Sequence, residues 1–244
     1  MLRPREELKV YARVFDNYTF ENLIYLADHG IFRSLAFPIS SGKEAEAYTA
    51  WRDKELITLK IYKIETLNYH KLKDLLLADY RFSKNLKLSR RAIVEAWARK
   101  EFTNLSIAYE AKVRVPRPIA VCKNVIAMQF IGSLSGPAPL LLKAEIKNPD
   151  KFIKDLYTQF EKLFFSAKLV HGDLSEYNIL VSRQKPYFID MSQATPRDNP
   201  VARELFLRDL RNLARIQKKL GVSYDTSEIL KKFETWVSEG GKLE

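Results

Sequence analysis

The stretch from His171 to Leu180, His-Gly-Asp-Leu-Ser-Glu-Tyr-Asn-Ile-Leu, constrains this chain more than any other part of it. It places Asp173 and Asn178 five residues apart, directly ahead of a short apolar run. Transfer of a phosphoryl group needs a carboxylate at the attacking hydroxyl and oxygen ligands for Mg²⁺ nearby, because the protein contributes mainly positioning and charge compensation. Asp173 and Asn178 carry the side chains for these two tasks, so the spacing predicts a phosphoryl-transfer loop.

The composition predicts a folded protein with one large domain or two lobes. Of the 244 residues 46% are apolar, which is enough to build a core. The single cysteine, Cys122, lies in an apolar run and excludes both an intramolecular disulfide and a multi-cysteine zinc site. No apolar stretch reaches the ~20 residues needed to span a bilayer, and the N-terminus lacks a signal-peptide core. We therefore expect a cytoplasmic protein without membrane association.

The net charge of +11 has two explanations. One is a polyanionic partner such as RNA, and the other is a solvated, lysine-rich surface; the total charge supports both equally. The distribution favours the first explanation, since residues 81–100 contain seven basic residues and one acid, Glu95. Few aromatic residues lie among them, so base stacking is not expected.

The periodicity of the chain predicts an α+β protein, β-rich in its first part and mostly helical in its second. The breaker-rich segment from Gly132 to Pro139 predicts the boundary between an N-terminal lobe, residues 1–131, and a C-terminal lobe, residues 132–244. The expected strands are 37–39, 45–51, 56–62, 119–122, 125–131, 178–182 and 187–190. The expected helices are 5–30, 64–88 (with a mobile loop), 90–112, 152–164, 200–220 and 226–238.

Lys60 and Glu101 predict an ion pair. Lys60 lies on the face of strand 56–62 opposite the apolar stripe, where a lone lysine is usually just solvated. Glu101, however, falls on the buried stripe of the helix after Arg90, and an unpaired charge there would cost several kcal/mol. A lysine projecting from a nearby sheet would compensate it. The alternative is that Glu101 lies at the edge of the stripe, beside Lys100.

The turn formed by Ser41, Gly42 and Lys43 lies between two predicted strands and contains a single glycine. It matches neither a Walker A loop nor the three-glycine phosphate loop of protein kinases. Taken alone, it therefore predicts an ordinary hairpin turn more strongly than a phosphate site.

Asp190 is the second candidate for a metal ligand. It follows an apolar run, twelve residues after Asn178, and a hairpin would bring the two together. Both could then chelate Mg²⁺, leaving Asp173 nearest the acceptor. Asp and Asn are also common in turns, so each of these residues alone could have a structural role. That explanation does not account for a strand lysine, a helix glutamate and these three residues occurring together in the order found in protein kinases. His171 is expected to brace the loop, and Asp209 either to accept amide hydrogen bonds or to lie on the surface.

Together these motifs resemble the RIO family of atypical serine/threonine protein kinases, and within it the Rio-one subfamily. The resemblance spans nearly the whole chain. Its most specific parts are Ser-Gly-Lys-Glu-Ala at 41–45 and Ile-Asp-Met-Ser-Gln at 189–193. The other resembling segments are LKIYKIET (59–66), WARKEFTNL (97–105), VPRPI (115–119), MQFIG (128–132), HGDLSEYNIL (171–180) and LRDLRN (207–212).

The resemblance implies a two-lobed, protein-kinase-like fold that uses ATP and Mg²⁺, with Mn²⁺ as an alternative ion. It implies that Asp173 is the catalytic aspartate and that Asn178 and Asp190 bind the metal, with Asp190 also accepting a transient phosphoryl group. The implied nucleotide-binding residues are Lys60 paired with Glu101, the turn of Ser41, Gly42 and Lys43 over the phosphates, and the main-chain groups of Gln129 and Ile131 at adenine.

The resemblance also implies a kinase and ATPase that acts in maturation of the small ribosomal subunit. Its partners would be the subunit precursor and rRNA, with autophosphorylation expected and with neither protein substrate nor oligomeric state assigned. Three departures from kinase patterns stand out. Gly172 replaces the Ala of many family members, Gln129 replaces an expected Glu, and the 54 residues after Asp190 contain no Ala-Pro-Glu, so the usual peptide-binding platform is not expected.

Three alternatives share features with the chain. The kinase-like subunit of the tRNA threonylcarbamoyl-adenosine complex has a similar His-Gly-Asp-Leu loop, but it normally carries Asp-Phe-Gly where this chain has Asp190-Met191-Ser192. Aminoglycoside-type kinases share the loop but usually need a larger substrate lobe. A non-catalytic rRNA-binding module would bind RNA without binding ATP.

Overall fold

The computed structural model describes residues 15–84 and 86–240. The chain divides into two compact units, which we call the first and the second unit. The first contains the residues up to Ser106 together with Pro116–Pro137, and the second contains Ile107–Val115 together with the residues from Ala138 onward. All residues after Pro137 belong to the second unit. This boundary lies within the breaker-rich segment 132–139.

The first unit is built on a five-stranded antiparallel sheet in the order β1-β2-β3-β5-β4. The strands are β1 (Ser34–Ser41), β2 (Ala45–Arg52), β3 (Glu55–Tyr62), β4 (Pro118–Cys122) and β5 (Val125–Gln129). In β3 the alternating residues Ile57, Leu59 and Ile61 are buried, as expected for a strand with one face on a core. All five predicted strands are therefore confirmed, with ends that differ by a few residues. A small ribbon, β6 (Gly132–Ser133) with β7 (Gly136–Pro137), follows.

Four helices accompany this sheet: α1 (Asn17–Asp28), α2 (Tyr69–Leu77), α3 (Tyr80–Ser83) and α4 (Arg90–Glu110). Helix α1 begins where Asp16 Oδ1 accepts a hydrogen bond from the Thr19 amide at 2.9 Å, and it ends ahead of Gly30, whose φ is +72°. The part of the predicted helix 5–30 that precedes residue 15 lies outside the described residues.

The predicted helix over 64–88 is instead two short helices, α2 and α3. The break lies at Asp79, which caps α3 by accepting a hydrogen bond from the Arg81 amide at 3.2 Å. The same carboxylate also binds the Arg81 guanidinium at 2.7 and 2.9 Å. An aspartate that binds local backbone and side-chain donors in this way favours a new helix start over continuation of the old helix.

The second unit is mostly helical. It contains a 3₁₀ turn (Leu141–Lys143), α5 (Pro149–Glu161) with a π-helical turn (Lys162–Ser166), α6 (Ala202–Lys219) and α7 (Ser227–Ser238). Its strands are β8 (Leu169–Val170), β9 (Ile179–Ser182), β10 (Lys185–Phe188) and β11 (Thr195–Pro196). The predicted hairpin is confirmed as β9 paired with β10, and β8 pairs with β11.

An aromatic cluster joins the helices of the second unit. The ring of Phe206 on α6 stacks on that of Phe233 on α7 at 4.2 Å between centroids, and it lies 4.5 Å from that of Phe164 in the π-helical turn. All three side chains are buried. This packing fixes α6, the helix that supports the candidate catalytic loop. Within the described residues, none of the helices combines the length and hydropathy needed to cross a bilayer.

Candidate active site

In the first unit, Lys60 and Glu101 form the ion pair that the sequence predicts. Lys60 Nζ lies 2.8 Å from Glu101 Oε1. The Glu101 side chain is 1% exposed and that of Lys60 is 16% exposed. The pair therefore connects the central strand β3 to helix α4 in a place with little water, where each charge depends on its partner.

Tyr62 holds the other oxygen of Glu101. Its hydroxyl donates a hydrogen bond to Glu101 Oε2, and its ring centroid lies 5.1 Å from Lys60 Nζ. The ring is almost fully buried. Tyr62 is absent from the residues that the sequence singles out, although the same period-two alternation that directs Lys60 away from the apolar stripe also places Tyr62 on its face.

The turn of Ser41, Gly42 and Lys43 is anchored at its base. The Gly42 amide donates to the Ala45 carbonyl oxygen at 2.9 Å, and a Cβ at Gly42 would lie 3.3 Å from that oxygen, which favours glycine here. Ser41 Oγ donates to Glu46 Oε1 at 3.1 Å. All three residues of the turn are exposed. The geometry allows both an ordinary hairpin turn and a loop that covers an anion.

Glu46 connects this turn to the end of β3. Lys63 Nζ lies 2.8 Å from Glu46 Oε1, and Tyr48 donates its hydroxyl to Glu46 Oε2 at 3.1 Å. The hydrogen bond from Lys63 lowers the pKa of Glu46 below its ordinary value, against the opposing effect of burial. The carboxylate therefore stays ionised at neutral pH and keeps its bond to Ser41.

Gln129 and Ile131 lie at the end of β5. The Gln129 amide donates to the Arg117 carbonyl oxygen at 2.8 Å, and its side-chain oxygen accepts from the Arg117 amide at 3.3 Å. The Gln129 side chain is exposed and that of Ile131 is buried. Their role at adenine stays a prediction.

In the second unit, Asp173 and Asn178 lie together as their spacing predicts. Asn178 Nδ2 donates to the Asp173 carbonyl oxygen at 2.8 Å and to Asp173 Oδ2 at 3.2 Å. Gln193 Nε2 donates to the same carboxylate oxygen at 3.3 Å. Because the planar amide of Asn178 turns its nitrogen toward Asp173, its oxygen points away from Asp173 and has the orientation of an independent ligand.

The hairpin of β9 and β10 brings the segment of Asp190 next to Asn178. The Ile189 amide donates to the Asn178 carbonyl oxygen at 3.0 Å, and Ser192 Oγ donates to Asp190 Oδ1 at 2.7 Å. Asp190 has a φ of +59°, a conformation that residues other than glycine adopt infrequently. Six other non-glycine residues among those described also have a positive φ, so this conformation alone does not mark a site.

The side chains of Asn178 and Asp190 fit Mg²⁺, which prefers hard oxygen ligands such as carboxylate and amide oxygens. Among the residues that the structure describes, no group of three or more His, Cys, Asp or Glu could hold a metal ion. In phosphoryl transfer the nucleotide phosphates supply further ligands to Mg²⁺, so two protein oxygens are a sufficient contribution.

Asp209 on α6 braces the loop that carries Asp173. Its Oδ2 accepts the Gly172 amide at 2.8 Å and its Oδ1 accepts the Leu174 amide at 3.0 Å. The side chain is fully buried, which decides between the two expectations in favour of an acceptor of amide hydrogen bonds. Burial raises the pKa of Asp209, while His171 and the two amides oppose that rise.

Two neighbours of Asp209 on α6 hold the loop carbonyls. The Arg208 guanidinium donates to the Gly172 oxygen, and Asn212 Nδ2 donates to the Leu174 oxygen at 3.0 Å. Gly172 has a φ of +77°, and a Cβ there would lie 3.3 Å from the Gln193 carbonyl oxygen. The glycine that departs from the usual family residue thus suits this backbone.

His171 is buried and joins the loop to Ile189, the residue before Asp190. Its Nε2 lies 3.1 Å from the Ile189 carbonyl oxygen, and its Nδ1 accepts a hydrogen bond from the Asp173 amide at 3.3 Å. The expectation that His171 braces the loop is therefore confirmed.

Comparison with solved structures identifies the class of fold. The Rio2 kinase from Chaetomium thermophilum, solved as an ADP/Mg²⁺-phosphoaspartate complex, matches with a TM-score of 0.67 and 23% sequence identity. The match covers 85% of this chain and 62% of that chain, so this chain spans about three fifths of the solved protein. The fold is thus protein-kinase-like, as predicted.

Sequence comparison then gives the family. A family model described as the RIO domain matches residues 46–229. The RIO-type serine/threonine-protein kinase Rio1 of Haloferax volcanii is 36% identical, over 92% of this chain and 77% of that protein. The protein of the same name from Thermoplasma acidophilum is 39% identical, over 75% of this chain and 95% of that protein. The chain belongs to the RIO family, and this membership decides against the tRNA-complex and aminoglycoside-kinase alternatives.

Proposed function

We propose that this chain is an ATP-dependent serine/threonine kinase and ATPase of RIO type. The observation that carries the proposal is the arrangement around the catalytic loop, where Asp173 is oriented by Asn178 and Gln193 and Asp190 follows the adjoining hairpin. Phosphoryl transfer requires a carboxylate at the attacking hydroxyl and oxygen ligands for Mg²⁺. Asp173 supplies the first, and Asn178 and Asp190 supply the second.

In the first unit, we assign nucleotide binding to an ion pair, a turn and two main-chain positions. The buried pair of Lys60 and Glu101 presents one oriented ammonium group to the phosphates, as the corresponding pair does in protein kinases. The remaining contacts that we propose are the turn of Ser41, Gly42 and Lys43 over the phosphates and the main-chain groups of Gln129 and Ile131 at adenine. Since Tyr62 also binds Glu101, it acts as a positioning residue for Lys60.

In the second unit, Asp173 orients the attacking hydroxyl and accepts its proton. Asn178 and Asp190 hold Mg²⁺, with Mn²⁺ as the alternative ion. When bound, the metal ion neutralises charge that develops on the phosphate oxygens. Asp209 and His171 keep Asp173 at a fixed distance from Asn178. By holding these groups in position before the reaction, the loop increases the rate of phosphoryl transfer.

We further propose that Asp190 is phosphorylated transiently during ATP hydrolysis. A carboxylate oxygen of Asp190 would form a bond to the γ-phosphorus while the bond to the bridging oxygen of ADP breaks, and water would then hydrolyse the acyl phosphate to inorganic phosphate. Support comes from the fold relative that was solved as a phosphoaspartate complex with ADP and Mg²⁺.

The partners that we propose are a small ribosomal subunit precursor and its rRNA, encountered in the cytoplasm. The net charge of +11 supports a polyanionic partner. Autophosphorylation is expected, and no protein substrate is assigned.

The test is phosphorylation from γ-labelled ATP, measured with and without small-subunit precursors. A label released by neutral hydroxylamine, together with hydrolysis stimulated by the precursors, would support an aspartyl-phosphate cycle. An acid-stable label on serine of an added protein would support the protein-kinase activity. Absence of ATP binding, beside tight and salt-sensitive rRNA binding, would overturn the proposal in favour of a non-catalytic RNA-binding module.

A further inference from the structure

Helix α6 has one buried and one strongly basic face. The buried face carries Phe206, Asp209, Leu210, Leu213 and Ile216. The exposed positions of the helix are Arg203, Glu204, Arg208, Arg211, Ala214, Arg215, Lys218 and Lys219. Six of these eight residues are cations and one is an acid, so the outer face is far more basic than a mixed solvated surface.

The cations follow the helical repeat. Arg208, Arg211, Arg215, Lys218 and Lys219 are separated by three or four residues, apart from the last two, which are adjacent. Residues at these intervals lie on one side of a helix, and the distance from the first to the last is about 16 Å. We call this row of five residues the α6 stripe. It contains no acid, since Glu204 lies at the N-terminal end of the helix, before the stripe begins.

The two ends of the stripe differ from its middle in their partners. Lys219 pairs with Glu176, and Arg208 binds the Gly172 carbonyl oxygen. Arg215 hydrogen-bonds the Asn212 side-chain oxygen at 3.3 Å. Within residues 15–84 and 86–240, Arg211, Arg215 and Lys218 form no salt bridge, whereas Lys219 does. Like charges three and four residues apart repel one another, so the stripe lowers the stability of the isolated helix. A bound polyanion would relieve that repulsion.

The chemistry of the stripe favours phosphate groups. Three of its five members are arginines, whose planar guanidinium binds phosphate oxygens in pairs. Evenly spaced cations over about 16 Å suit a ligand with repeated negative charges. An amphipathic membrane-binding helix would need bulky apolar side chains beside its cations, whereas Ala214 is the only exposed apolar residue of α6.

We propose that the α6 stripe is a docking surface for the phosphate backbone of RNA. The inference rests on the proposed function, because it assigns a surface to the rRNA partner. The surface is preorganised, since Phe206 fixes the helix in the aromatic core and Asp209 fixes it to the catalytic loop. Binding would therefore order only the arginine and lysine side chains of the stripe and not the helix itself, which keeps the entropy cost of binding low.

The test compares two triple variants with the same change in charge. Arg211→Gln, Arg215→Gln and Lys218→Gln together remove three cations from the stripe. Lys147→Gln, Lys151→Gln and Lys154→Gln together remove three exposed lysines in the same unit, one just before α5 and two in its first turns. Binding of a fluorescent mixed-sequence oligoribonucleotide is followed by anisotropy without ATP, from about 50 to 200 mM salt. Thermal unfolding of both variants checks that they fold.

The stripe variant should lose on the order of tenfold or more in affinity, and the slope of log affinity against log salt should decrease by about 2, since each single-strand phosphate contact contributes about 0.7. The α5 variant should stay within about twofold of wild type. Equal losses in the two variants, no RNA binding by wild type, or displacement of RNA by polyglutamate as effective as by unlabelled RNA would each overturn the proposal. ATP turnover without RNA is measured separately, so loss of the docking surface and failure of the catalytic assignment give different results.

Discussion

The candidate residues of the first unit and those of the second are held in place by different means. Lys60 is fixed by direct contact with Glu101, which Tyr62 also binds, and all three belong to one regular strand and one regular helix. Asp173 and Asp190 instead lie on irregular backbone, and the loop of Asp173 is held from outside by α6.

The difference shows two ways in which a fold can orient a charged side chain. Where a regular strand faces a regular helix, burial of the acid alone requires a nearby cation, and the ion pair sets the geometry. A loop has no repeating hydrogen bonds of its own, so its amides and carbonyls need partners elsewhere. Asp209, Asn212 and Arg208 supply those partners. Disturbing either arrangement should lower both activity and stability, because each change leaves buried polar or charged groups without their partners.

The strongest way to break the first arrangement is to remove one charge of its ion pair. Lys60→Met should lower kcat/KM for Mg-ATP about 100-fold, because a preorganised cation at the phosphates is lost. Glu101→Gln should lower it about tenfold, since the lysine remains but loses its orientation. Steady-state ATP turnover measures both. Glu110→Gln, at the exposed end of the same helix, serves as the control and should change little; an equal loss there would show that the ion pair has no special role.

The second arrangement is broken most directly at Asp209. Asp209→Ala leaves the buried amides of Gly172 and Leu174 without their acceptor, so the free energy of unfolding should fall by about 3 kcal/mol. Urea unfolding measures this loss. Glu204→Ala, on the exposed face of the same helix, should cost less than about 0.5 kcal/mol. Equal stabilities of the two variants would show that α6 does not brace the loop.

A further test of the first unit uses the pH dependence of its stability. The titrating group is the buried Lys100, which lies next to Glu101 in the chain. Burial lowers the pKa of Lys100 to about 7 from its ordinary 10.5, against the opposing attraction of Asp79, while Arg81 lowers it further and Glu101 raises it. Between these two values the unfolded chain binds more protons than the folded chain, so stability should rise with pH. From pH 7 to 9 the rise should be about 2 kcal/mol.

Lys100→Met keeps the side-chain volume and removes this titration. Urea unfolding of the variant at pH 7 and pH 9 should lack the increase that wild type shows. If wild type and variant had the same pH dependence, Lys100 would be protonated in the folded protein throughout this range.

The smallest effect on activity should come from Tyr62→Phe. The change removes the hydroxyl that donates to Glu101 Oε2 and leaves the ring in place. We expect a loss of about 2 kcal/mol in unfolding free energy, as for one hydrogen bond to a charged group, and about threefold in kcat/KM, since Lys60 still pairs with Glu101. Tyr25→Phe, at an exposed tyrosine, should change neither quantity. No change in Tyr62→Phe would leave Lys60 as the sole partner needed to orient Glu101.

The sequence predicts most of the regular structure and little of the irregular structure. Alternation in β3 and the buried stripe of α4 locate both elements, because each repeats over several residues. The sequence does not predict the break at Asp79. Because α2 and α3 contain several charged residues, one more aspartate is not recognisable as a helix cap. The two-residue strands β6, β7, β8 and β11 are too short to show any period.

The same limit applies to the candidate site. The pairing of Lys60 with Glu101 follows from periodicity, and the closeness of Asp173 to Asn178 follows from their spacing. The role of Asp209 depends on contacts with residues 35 and 37 positions away, which no local pattern reveals. The positive φ values of Gly172 and Asp190 depend in the same way on the surrounding fold.

The central claim is that Asp173 and Asp190 carry out phosphoryl transfer from Mg-ATP. Its most direct test is release of labelled phosphate from γ-labelled ATP by wild type, Asp173→Asn and Asp190→Asn, with circular dichroism as a check on folding. The account predicts turnover in wild type and a decrease of about 1000-fold in each variant, because the carboxylates orient the nucleophile and bind the metal. Turnover at the wild-type rate in both variants would contradict it.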